Sequence, residues 1–388
     1  MSALRVGLNL VFLDPLVAGV RVVATHMVDA LLRAAVDRCG WRFRLFTTRR
    51  GESCLRDDAG AREAVSRMGS RLEVEIVPVD PRRKAARFLF EQTRLARLAS
   101  HVDVMHSFDY TFPYLAPTKN IVTLHDLNYL NHPYTFSSSQ RAIRRVAVPL
   151  SVRLADRVVT ISEAAREEIL SRFPVDSERV VVIHNGYAGL ERSAPRESSE
   201  AEVRNGPYLL AVGTLKAHKN YPRLLEAFAT LPFEGLHLVI VGRDDGMSGD
   251  LMRRAAALGV RERVTLCGFL PEADLRRYYR GATAFVAPSL YEGFGMPVLE
   301  AMAHGAPVAC SNLAVFREIA AQAAVYFDPA DPRSIRETVA GLVRDSVLRS
   351  RLVRAGLERV TRFTWHSSAR KAFRLYEELA GVGGASCS

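Results

Sequence analysis

The sequence predicts an α/β protein with two successive domains, each a doubly wound parallel sheet with helices on both faces. The chain has 388 residues, more than one hydrophobic core usually serves. Short β-branched runs alternate with helical patterns, stop in a Ser-, Glu- and Arg-rich stretch at 185–207, and then resume. We therefore predict domains over 1–188 and 206–366 that face a central cleft, with part of a helix at 368–380 packing back on the first domain.

The strand-like runs of the first half recur at intervals that leave room for a helix between them. They lie at 4–10, 42–46, 72–77, 102–106, 120–124, 157–162 and 180–184, and a helical pattern lies near 22–34. Several runs end in polar residues. Ligands of open parallel sheets bind beyond the carboxyl ends of the strands, so these ends are where we expect a site.

The second half repeats the alternation. Strands are predicted at 208–212, 236–241, 263–267 and 281–288, and helices at 221–229, 251–258, 274–280 and 298–304. The stretch at 368–379 is amphipathic, which predicts the helix that packs back.

Composition points to an ordinary globular protein, with 48% hydrophobic and 24% charged residues. The chain has no apolar run of 18 residues and no basic-then-apolar N-terminus, so neither a spanning helix nor a signal peptide is predicted. The cysteines are scattered without any C-x-x-C pair, which favours reduced thiols in a cytoplasmic protein over a disulfide framework or a zinc site. They are Cys39, Cys54, Cys267, Cys310 and Cys387.

The formal net charge is +11, which favours acidic partners such as nucleotide-sugars, phosphorylated acceptors or anionic membrane surfaces. No recognisable nucleic-acid module is present, so we expect no nucleic-acid partner. Two basic stretches, 82–84 and 141–145, are interleaved with apolar residues. Such runs usually form solvated helix faces; contact with an acceptor or a membrane surface is the alternative.

The segment 291–300, YEGFGMPVLE, carries the clearest chemical signal. Glu292 lies in a glycine-rich loop, and Glu300 lies one turn into a helix that Pro297 is suited to start. A strand, a glycine loop and a helix start together aim backbone N–H groups at an anion. Carboxylates accept hydrogen bonds from hydroxyl groups. These features predict a ligand made of a sugar and phosphate.

A second loop of this kind follows the strand at 208–212. Its sequence, GTLKAHKN at 213–220, is neither a P-loop nor a dinucleotide-binding motif. Surface solvation alone would explain its two lysines and its histidine. Because the glutamate motif lies in the same predicted domain, we favour a role in neutralising a diphosphate.

Polar residues also end strands of the first predicted domain. His125 and Asp126 follow one strand, and His106 and Asp109 follow another. An Asp at such a place often caps a turn or a helix. A position at the carboxyl end of a strand favours contact with the ligand. This argument is stronger for His125 and Asp126 than for the other pair.

These segments resemble the retaining glycosyltransferases of family 4, which have the GT-B fold of two Rossmann-like domains. The likeness covers nearly the whole chain. Within the family, the sequence most resembles the mannosyltransferase branch used for surface polysaccharides and some natural products, including antibiotics. The segments that carry it are Thr123–Asp126 (T-x-H-D), Ala155–Ser162 (A-D-x-V-x-x-x-S), His184–Gly186 (N-G), Gly213–Asn220 (G-T-L-x-x-x-K-N), Glu292–Glu300 (E-x7-E) and Phe363–Trp365 before a crossing helix.

The resemblance implies a role for each matching residue. Glu292 would hold the donor sugar, Lys219 would neutralise the leaving phosphate, and His125 would lie near the transferred sugar; these three are the catalytic residues implied. Glu300 would bind the ribose diol. The other donor-binding residues implied are Gly19, Thr214, His218, Arg243, Phe269, Gly293, Phe294, Gly295, Met296, Val298 and Leu299. Asp109 and Asp126 are the acceptor candidates.

The sequence departs from the family at two points that bear on phosphate binding. The loop at 17–21 has only one glycine, Gly19, where many relatives have two. Many members have an arginine where this chain has Thr214 or His218. Either Arg243 or Lys216 would substitute for this arginine, or Lys219 and the helix dipole alone would stabilise the leaving group.

The resemblance implies transfer of a hexosyl unit from a UDP- or GDP-linked sugar to a hydroxyl of a small-molecule natural product or a surface glycan precursor. We expect retention at the anomeric carbon, without a metal or another cofactor. Asp244 and Asp245 are interpreted as solvated turn residues. A phosphorylase or sugar-nucleotide epimerase of similar fold, or a non-catalytic sugar-nucleotide-binding protein, is the alternative. We expect a cytoplasmic protein and leave open a peripheral contact with the inner membrane face.

Overall fold

The computed structural model describes residues 3–15, 19–36, 38, 40–57, 59–187 and 206–382. The chain forms two compact units, the first of residues 1–129, 136–186 and 363–388, the second of residues 130–135 and 187–362. Each unit contains one parallel sheet with helices around it, so the predicted pair of α/β domains is confirmed. The predicted linker lies mostly outside the described residues.

The first unit is built on a seven-stranded sheet in which all described strand pairs are parallel, in the order β3-β2-β1-β4-β5-β6-β7. Its strands are β1 (Leu4–Asn9), β2 (Trp41–Thr47), β3 (Leu72–Ile76), β4 (Val104–Ser107), β5 (Lys119–Leu124), β6 (Arg157–Thr160) and β7 (Val180–Val182). The central β4 is buried along its whole length, as expected for a strand covered on both faces. The edge strand β3 is more exposed, and its Glu73 and Glu75 pair with Arg44 of β2 at 3.2 and 2.8 Å.

Helices connect and cover these strands. They are α1 (Val20–Val36), α2 (Arg49–Asp57), α3 (Ala59–Met68), α4 (Lys84–Phe90), α5 (Ala96–Leu98), α6 (Asn128–Asn131), α7 (Ser138–Leu154) and α8 (Glu163–Arg172). Polar caps fix where two of them start. Ser137 forms a capping box with Gln140 at α7, and the Ser162 side chain accepts from the N–H of Ala165 at α8.

The second unit is built on a six-stranded parallel sheet in the order β10-β9-β8-β11-β12-β13. Its strands are β8 (Tyr208–Val212), β9 (His237–Val241), β10 (Val264–Gly268), β11 (Ala284–Ala287), β12 (Val308–Ser311) and β13 (Ala324–Phe327). The order reverses at β8, from which the chain continues outward to β9 and β10 and later returns to β11 on the other side. In such sheets the carboxyl ends near the reversal are the expected ligand site.

The helices of the second unit are α9 (Tyr221–Ala229), α10 (Ser248–Ala257), α11 (Glu272–Gly281), α12 (Met296–Ala303), α13 (Ala314–Ala320), α14 (Pro332–Arg344) and α15 (Ser346–Val360). Asp244 lies just before α10. Its Oδ1 accepts the N–H groups of Gly246, Met247 and Ser248 at 2.9, 2.9 and 3.1 Å, so this carboxylate holds the turn into the helix. Nowhere in the described part of the chain do three His, Cys, Asp or Glu side chains converge as metal ligands would.

The last helix, α16 (Trp365–Ala380), belongs to the first unit. The Thr364 side chain caps its start, and the Phe373 ring lies 4.5 Å from the Trp41 ring of β2. The Tyr376 hydroxyl lies 2.7 Å from His106 Nδ1, and the Thr123 hydroxyl lies 2.8 Å from Nε2 of the same histidine. His106 is therefore a buried link between helix and sheet, with both ring nitrogens occupied.

Two features of composition can be compared with the described structure. Cys54, Cys267 and Cys310 form no disulfide with one another, and Cys39 and Cys387 lie outside the described residues. Across the described ranges, none of the helices combines the length and the apolar character needed to cross a bilayer.

We predict that Tyr376→Phe lowers the free energy of unfolding by about 1–3 kcal/mol, because it leaves the buried Nδ1 of His106 without its hydrogen bond. Urea denaturation measures this. Arg370→Ala, an exposed change on the same helix, is the control and should alter stability by less than about 0.5 kcal/mol. Equal stability of Tyr376→Phe and the unchanged protein would contradict a structural role for this bond.

Candidate active site

The loop after β8 is shaped around Lys219. Gly213 has a φ of +150°, and a Cβ there would lie 3.0 and 3.2 Å from the Cε and Nζ atoms of Lys219. The Tyr221 hydroxyl donates to Gly213 O at 2.9 Å and holds the glycine in place. A side chain at Gly213 would therefore displace the lysine, which explains why this loop begins with glycine.

Asn220 fixes the other end of this loop. It has a φ of +59°, and its buried Nδ2 donates to Pro288 O at 3.0 Å and to Pro329 O at 2.8 Å. The N–H of Leu290 donates to His218 O at 2.7 Å. The loop after β8 and the loop after β11 are thus joined by hydrogen bonds, which brings the two predicted motifs to one place.

Lys219 and Glu292 form an ion pair at the centre of this joined region. Lys219 Nζ donates to Glu292 Oε1 at 2.5 Å, and the Ser289 hydroxyl donates to the same oxygen at 2.8 Å. The two side chains are only 13% and 15% exposed. Removing one partner of a mostly buried pair would leave the other charge uncompensated, which is costly. A ligand that reaches this pair must offer an anion to the lysine and hydrogen-bond donors to the carboxylate.

The start of α12 supplies backbone donors. Gly295 precedes the helix with a φ of +99°, and Pro297 is the second helical residue and has no N–H. The N–H groups of Val298 and Leu299 donate to Gly295 O at 2.9 and 3.3 Å. Any anion contact with those two groups would be shared with this turn, which leaves Gly295 and Met296 as the better-placed N–H donors of the predicted set.

Glu300 lies one turn further along α12. Its Oε2 accepts a hydrogen bond from the Tyr279 hydroxyl at 2.8 Å, the one hydrogen bond to this carboxylate among the described residues. Burial raises the pKa of Glu300, and the bond from Tyr279 opposes that rise. Oε1 therefore remains as an acceptor for a ligand hydroxyl.

His218 does not replace the missing arginine as a cation. Burial and the neighbouring Lys219 charge lower its pKa to about 4, so the ring is neutral at pH 7. Its buried Nδ1 has no hydrogen-bond partner within the described ranges. Lys216 pairs instead with Asp245 at 3.7 Å. In this loop, Lys219 is therefore the cation best placed for a phosphate.

Three other predicted donor-binding residues, Phe269, Arg243 and Thr214, follow the ends of strands in the same unit. Phe269 follows Gly268, whose φ is +67°, and the residue is 80% exposed, so its ring is accessible for stacking. Arg243 O accepts the N–H of Leu215 at 2.9 Å, and Thr214 O accepts the N–H of Lys216 at 2.8 Å, so the backbone at both positions shapes the loop.

In the first unit, His125 lies at the end of β5. Its Nε2–H donates to Phe108 O at 3.1 Å, which leaves the Nδ1 lone pair to accept a hydrogen bond. Burial lowers the pKa of His125, so the ring is neutral at pH 7. The histidine lines a small pocket whose other walls include Val23, Met27 and Trp365.

Asp126 and Asp109, the two acceptor candidates, each accept a hydrogen bond from a residue of the first unit. Asp126 Oδ1 accepts the N–H of Asn128 at the start of α6, at 2.9 Å. Asp109 Oδ2 accepts from Arg87 at 2.7 Å; burial opposes its ionisation, but the Arg87 charge, with that of Arg144, keeps its pKa below the usual range. Contacts of these carboxylates with an acceptor stay predictions.

Gly19 precedes α1 with a φ of +66°, and its carbonyl accepts the N–H of Val23 in the first turn at 3.0 Å. Residues 16–18 of the same loop lie outside the described residues. The predicted phosphate contact of Gly19 stays a prediction.

Sequence reasoning did not find several residues of this region. Ser289 and Tyr279 contact the two glutamates, and neither belongs to a quoted motif. Residues 130–135 group with the second unit, and the His132 ring lies 6.0 Å from the ring of His218 and 5.6 Å from that of Tyr291. No local pattern marks these residues, because their partners are distant in sequence.

Two parallel-sheet, Rossmann-like units in one chain form the GT-B fold of glycosyltransferases. The sequence model described as Glycosyl transferases group 1 matches residues 195–359, and the one described as Glycosyltransferase Family 4 matches residues 17–188. The chain belongs to glycosyltransferase family 4.

Three relatives illustrate the likeness. O-antigen chain mannosyltransferase B of Escherichia coli is 27% identical over 76% of this chain and 80% of its own. Sucrose-phosphate synthase from Thermosynechococcus elongatus superposes with a TM-score of 0.72 at 21% identity, covering 98% of this chain and 100% of its own. Anabaena HepE in complex with UDP and glucose gives a TM-score of 0.72 at 17% identity, over 97% of this chain and 100% of its own.

We predict that Gly295→Ala destabilises the second unit, because an alanine at a φ of +99° costs about 1–2 kcal/mol and its Cβ would lie 2.7 Å from the Phe316 ring. Gly305→Ala is the matched control: its φ is +73°, but the nearest atom lies 3.7 Å away. Chemical denaturation should show the larger loss for Gly295→Ala by about 1–3 kcal/mol. Equal losses would mean that Phe316 does not confine this loop.

Proposed function

We propose that this protein transfers a hexosyl unit from a nucleoside diphosphate-sugar to an acceptor hydroxyl, with retention at the anomeric carbon. The Lys219–Glu292 ion pair, with the half-buried Glu300 eight residues further along the chain in α12, is the observation that carries this proposal. It combines in one place a cation for a phosphate and carboxylates for the hydroxyls of a hexose and a ribose.

In the proposed reaction the bond between the anomeric carbon and the phosphate oxygen breaks, and a bond to the acceptor oxygen forms on the same face of the sugar. The acceptor proton passes to the departing phosphate oxygen. Lys219 and the N–H groups at Gly295 and Met296 stabilise the negative charge that develops there. His125 offers the Nδ1 lone pair to a hydroxyl of the transferred sugar.

The cation at Lys219 and the start of α12 together supply the stabilisation that a divalent metal would otherwise give a diphosphate. We therefore propose a metal-independent reaction. Unchanged transfer after treatment with a chelator would support this, and recovery of a lost activity by added Mg²⁺ or Mn²⁺ would overturn it.

The relatives guide the choice of substrates. Similarity to an O-antigen mannosyltransferase favours a mannose-type hexose and a surface glycan precursor, and the UDP-bound neighbour makes UDP an equal candidate to GDP for the base. A small-molecule acceptor stays the alternative, since no described contact selects between them.

Substituting Lys219 and substituting Glu292 should have opposite effects on diphosphate binding. Lys219→Ala removes the cation, so affinity for UDP or GDP should fall by about ten- to a hundredfold. Glu292→Gln removes the competitor for Lys219, so affinity for the same diphosphate should rise while sugar transfer falls. Calorimetric titration and a transfer assay measure the two effects.

Lys216→Ala, which breaks only the outer pair with Asp245, is the control and should change diphosphate affinity less than Lys219→Ala. A thermal-shift screen with UDP, GDP, dTDP and their sugars identifies the ligand first. If none of these raises the unfolding midpoint, the donor proposal fails. If a donor binds but is only epimerised or phosphorolysed, the alternative enzymes are favoured.

The surface of the first unit supports a peripheral contact with anionic lipid, which we propose as a property separate from donor binding. Leu89, Leu115 and Val146 are 64%, 79% and 70% exposed. Tyr114 connects the segments that carry these three residues. Its N–H donates to Gln92 Oε1 at 2.9 Å, and its hydroxyl donates to Ala147 O at 3.3 Å.

Charge on this surface is one-sided. Residues 82–101 and 136–155 contain ten lysine and arginine residues, of which Arg87 is buried, and a single acidic one, Glu91, which is also buried. Exposed apolar side chains among arginines are typical of surfaces that lie in the headgroup region of a bilayer.

We predict that the protein co-sediments with phosphatidylglycerol-containing vesicles but not with neutral ones, and that Val146→Glu weakens this binding at least severalfold. Val347→Glu, an equal charge change at a residue of the second unit that is 78% exposed, is the control and should bind like the unchanged protein. Equal binding of both variants would rule out this surface. Donor binding measured without vesicles should be unaffected by either change.

A further inference from the structure

Glu300 is held by a row of two buried tyrosines and a half-buried histidine that the proposed function does not use. The Tyr279 hydroxyl donates to Glu300 Oε2 at 2.8 Å, and the Tyr279 ring, from α11, is almost completely buried. The bond fixes one carboxylate oxygen and leaves the other available. A carboxylate without this bond would rotate among its rotamers, and part of the alignment with a ligand would be lost.

The Tyr279 ring is itself confined on two sides. It stacks on the His304 ring, with centroids 5.8 Å apart and planes at 20°, and the Phe285 ring lies 5.6 Å away. His304 is four residues after Glu300, so the two side chains lie on the same face at the end of α12. A movement of the His304 ring would therefore move the support of Tyr279.

His304 in turn is fixed by Tyr187. The Tyr187 hydroxyl lies 2.6 Å from His304 Nε2, with the rings edge-on at 90°. Burial lowers the pKa of His304 to about 4, so this bond joins a phenol and a neutral imidazole at pH 7. Tyr187 is also the first residue of the long stretch 187–362 that forms most of the second unit. Tyr187, His304 and Tyr279 form what we call the tyrosine–histidine row.

We propose that Tyr279 is a positioning residue for the reaction, holding Glu300 as an ionised acceptor for the ribose hydroxyls, and that His304 and Tyr187 hold Tyr279. This rests on the proposed function, since it assumes that Glu300 reads the ribose. The row also connects Tyr187, at the start of the stretch 187–362, with Glu300. All of these contacts lie within the second unit.

The row also affects the ionisation of Glu300. Burial raises the pKa of this carboxyl, while Tyr279 and, more weakly, Lys219 favour the ionised form; Glu272 on α11 opposes it. Nucleotide affinity that depends on ionised Glu300 is complete above its pKa and is lost as the pH falls through that value. Removing the Tyr279 hydroxyl shifts this loss to a higher pH.

The test compares a nucleoside diphosphate with its 2′-deoxy form on variants of the full chain. The probe is the diphosphate, UDP or GDP, that raises the unfolding midpoint of the unchanged protein, together with dUDP or dGDP. We expect the unchanged protein to prefer the ribose form by roughly tenfold. Tyr279→Phe should weaken the ribose form by a similar factor and the deoxy form hardly at all, so the preference largely disappears.

Tyr278→Phe is the matched control, the same change at the neighbouring residue of α11, whose hydroxyl contacts Cys267 rather than a glutamate. It should keep the full preference for ribose. Tyr187→Phe, at the far end of the row, should reduce the preference partly, and it serves as the test variant if Tyr279→Phe does not fold. In Tyr279→Phe, the affinity for the ribose form should also begin to fall at a higher pH than in the control.

The outcomes separate the two proposals. If no nucleoside diphosphate binds the unchanged protein, the proposed function fails. If one binds with a clear preference for ribose that Tyr279→Phe and Tyr187→Phe both retain, the positioning role is wrong and the donor site stands. A parallel loss of affinity for both forms in Tyr279→Phe would show a structural role only, and would also overturn the inference.

Discussion

The ion pair between Lys219 and Glu292 is the interaction around which the loops of the second unit are arranged. Gly213 leaves space for the lysine, Asn220 joins its loop to the loop of the glutamate, and Ser289 donates to the same carboxylate oxygen. Two mostly buried charges would be costly if either were left alone. The pair keeps both groups desolvated and satisfied, in positions where a phosphate and a sugar hydroxyl can each take over one partner.

Much of the fold could be predicted because its signals are local. The alternation of β-branched runs and helical patterns located β8, β9, β10 and α9 to within a residue or two, and the glycine loop before Pro297 located α12. The strands β12 and β13 were not predicted. They have four residues each. β12 is buried along its whole length and β13 is partly buried, and neither shows the alternation that would distinguish it from the neighbouring apolar helices.

The candidate site could be predicted only in part, for a related reason. A motif gives the chemistry of a side chain, but its partners come from packing. His106 and His125 occupy the same kind of strand end, yet Tyr376, 270 residues away in sequence, encloses the first, while the second keeps a ring nitrogen available. Tyr279 lies 21 residues before Glu300, and nothing in the sequence pairs them until α11 and α12 are placed side by side.

The neutral state of His218 gives the ion pair a further consequence for the proposed reaction. With one well-placed cation in the loop, a diphosphate must displace Glu292 from Lys219, and the displaced carboxylate then needs new donors. A complete donor supplies them through the hexose hydroxyls, whereas the free diphosphate does not. In the proposed reaction, the site would therefore favour the substrate over the nucleotide product. Once the sugar has left, the return of Glu292 to Lys219 would compete with the diphosphate and promote its release.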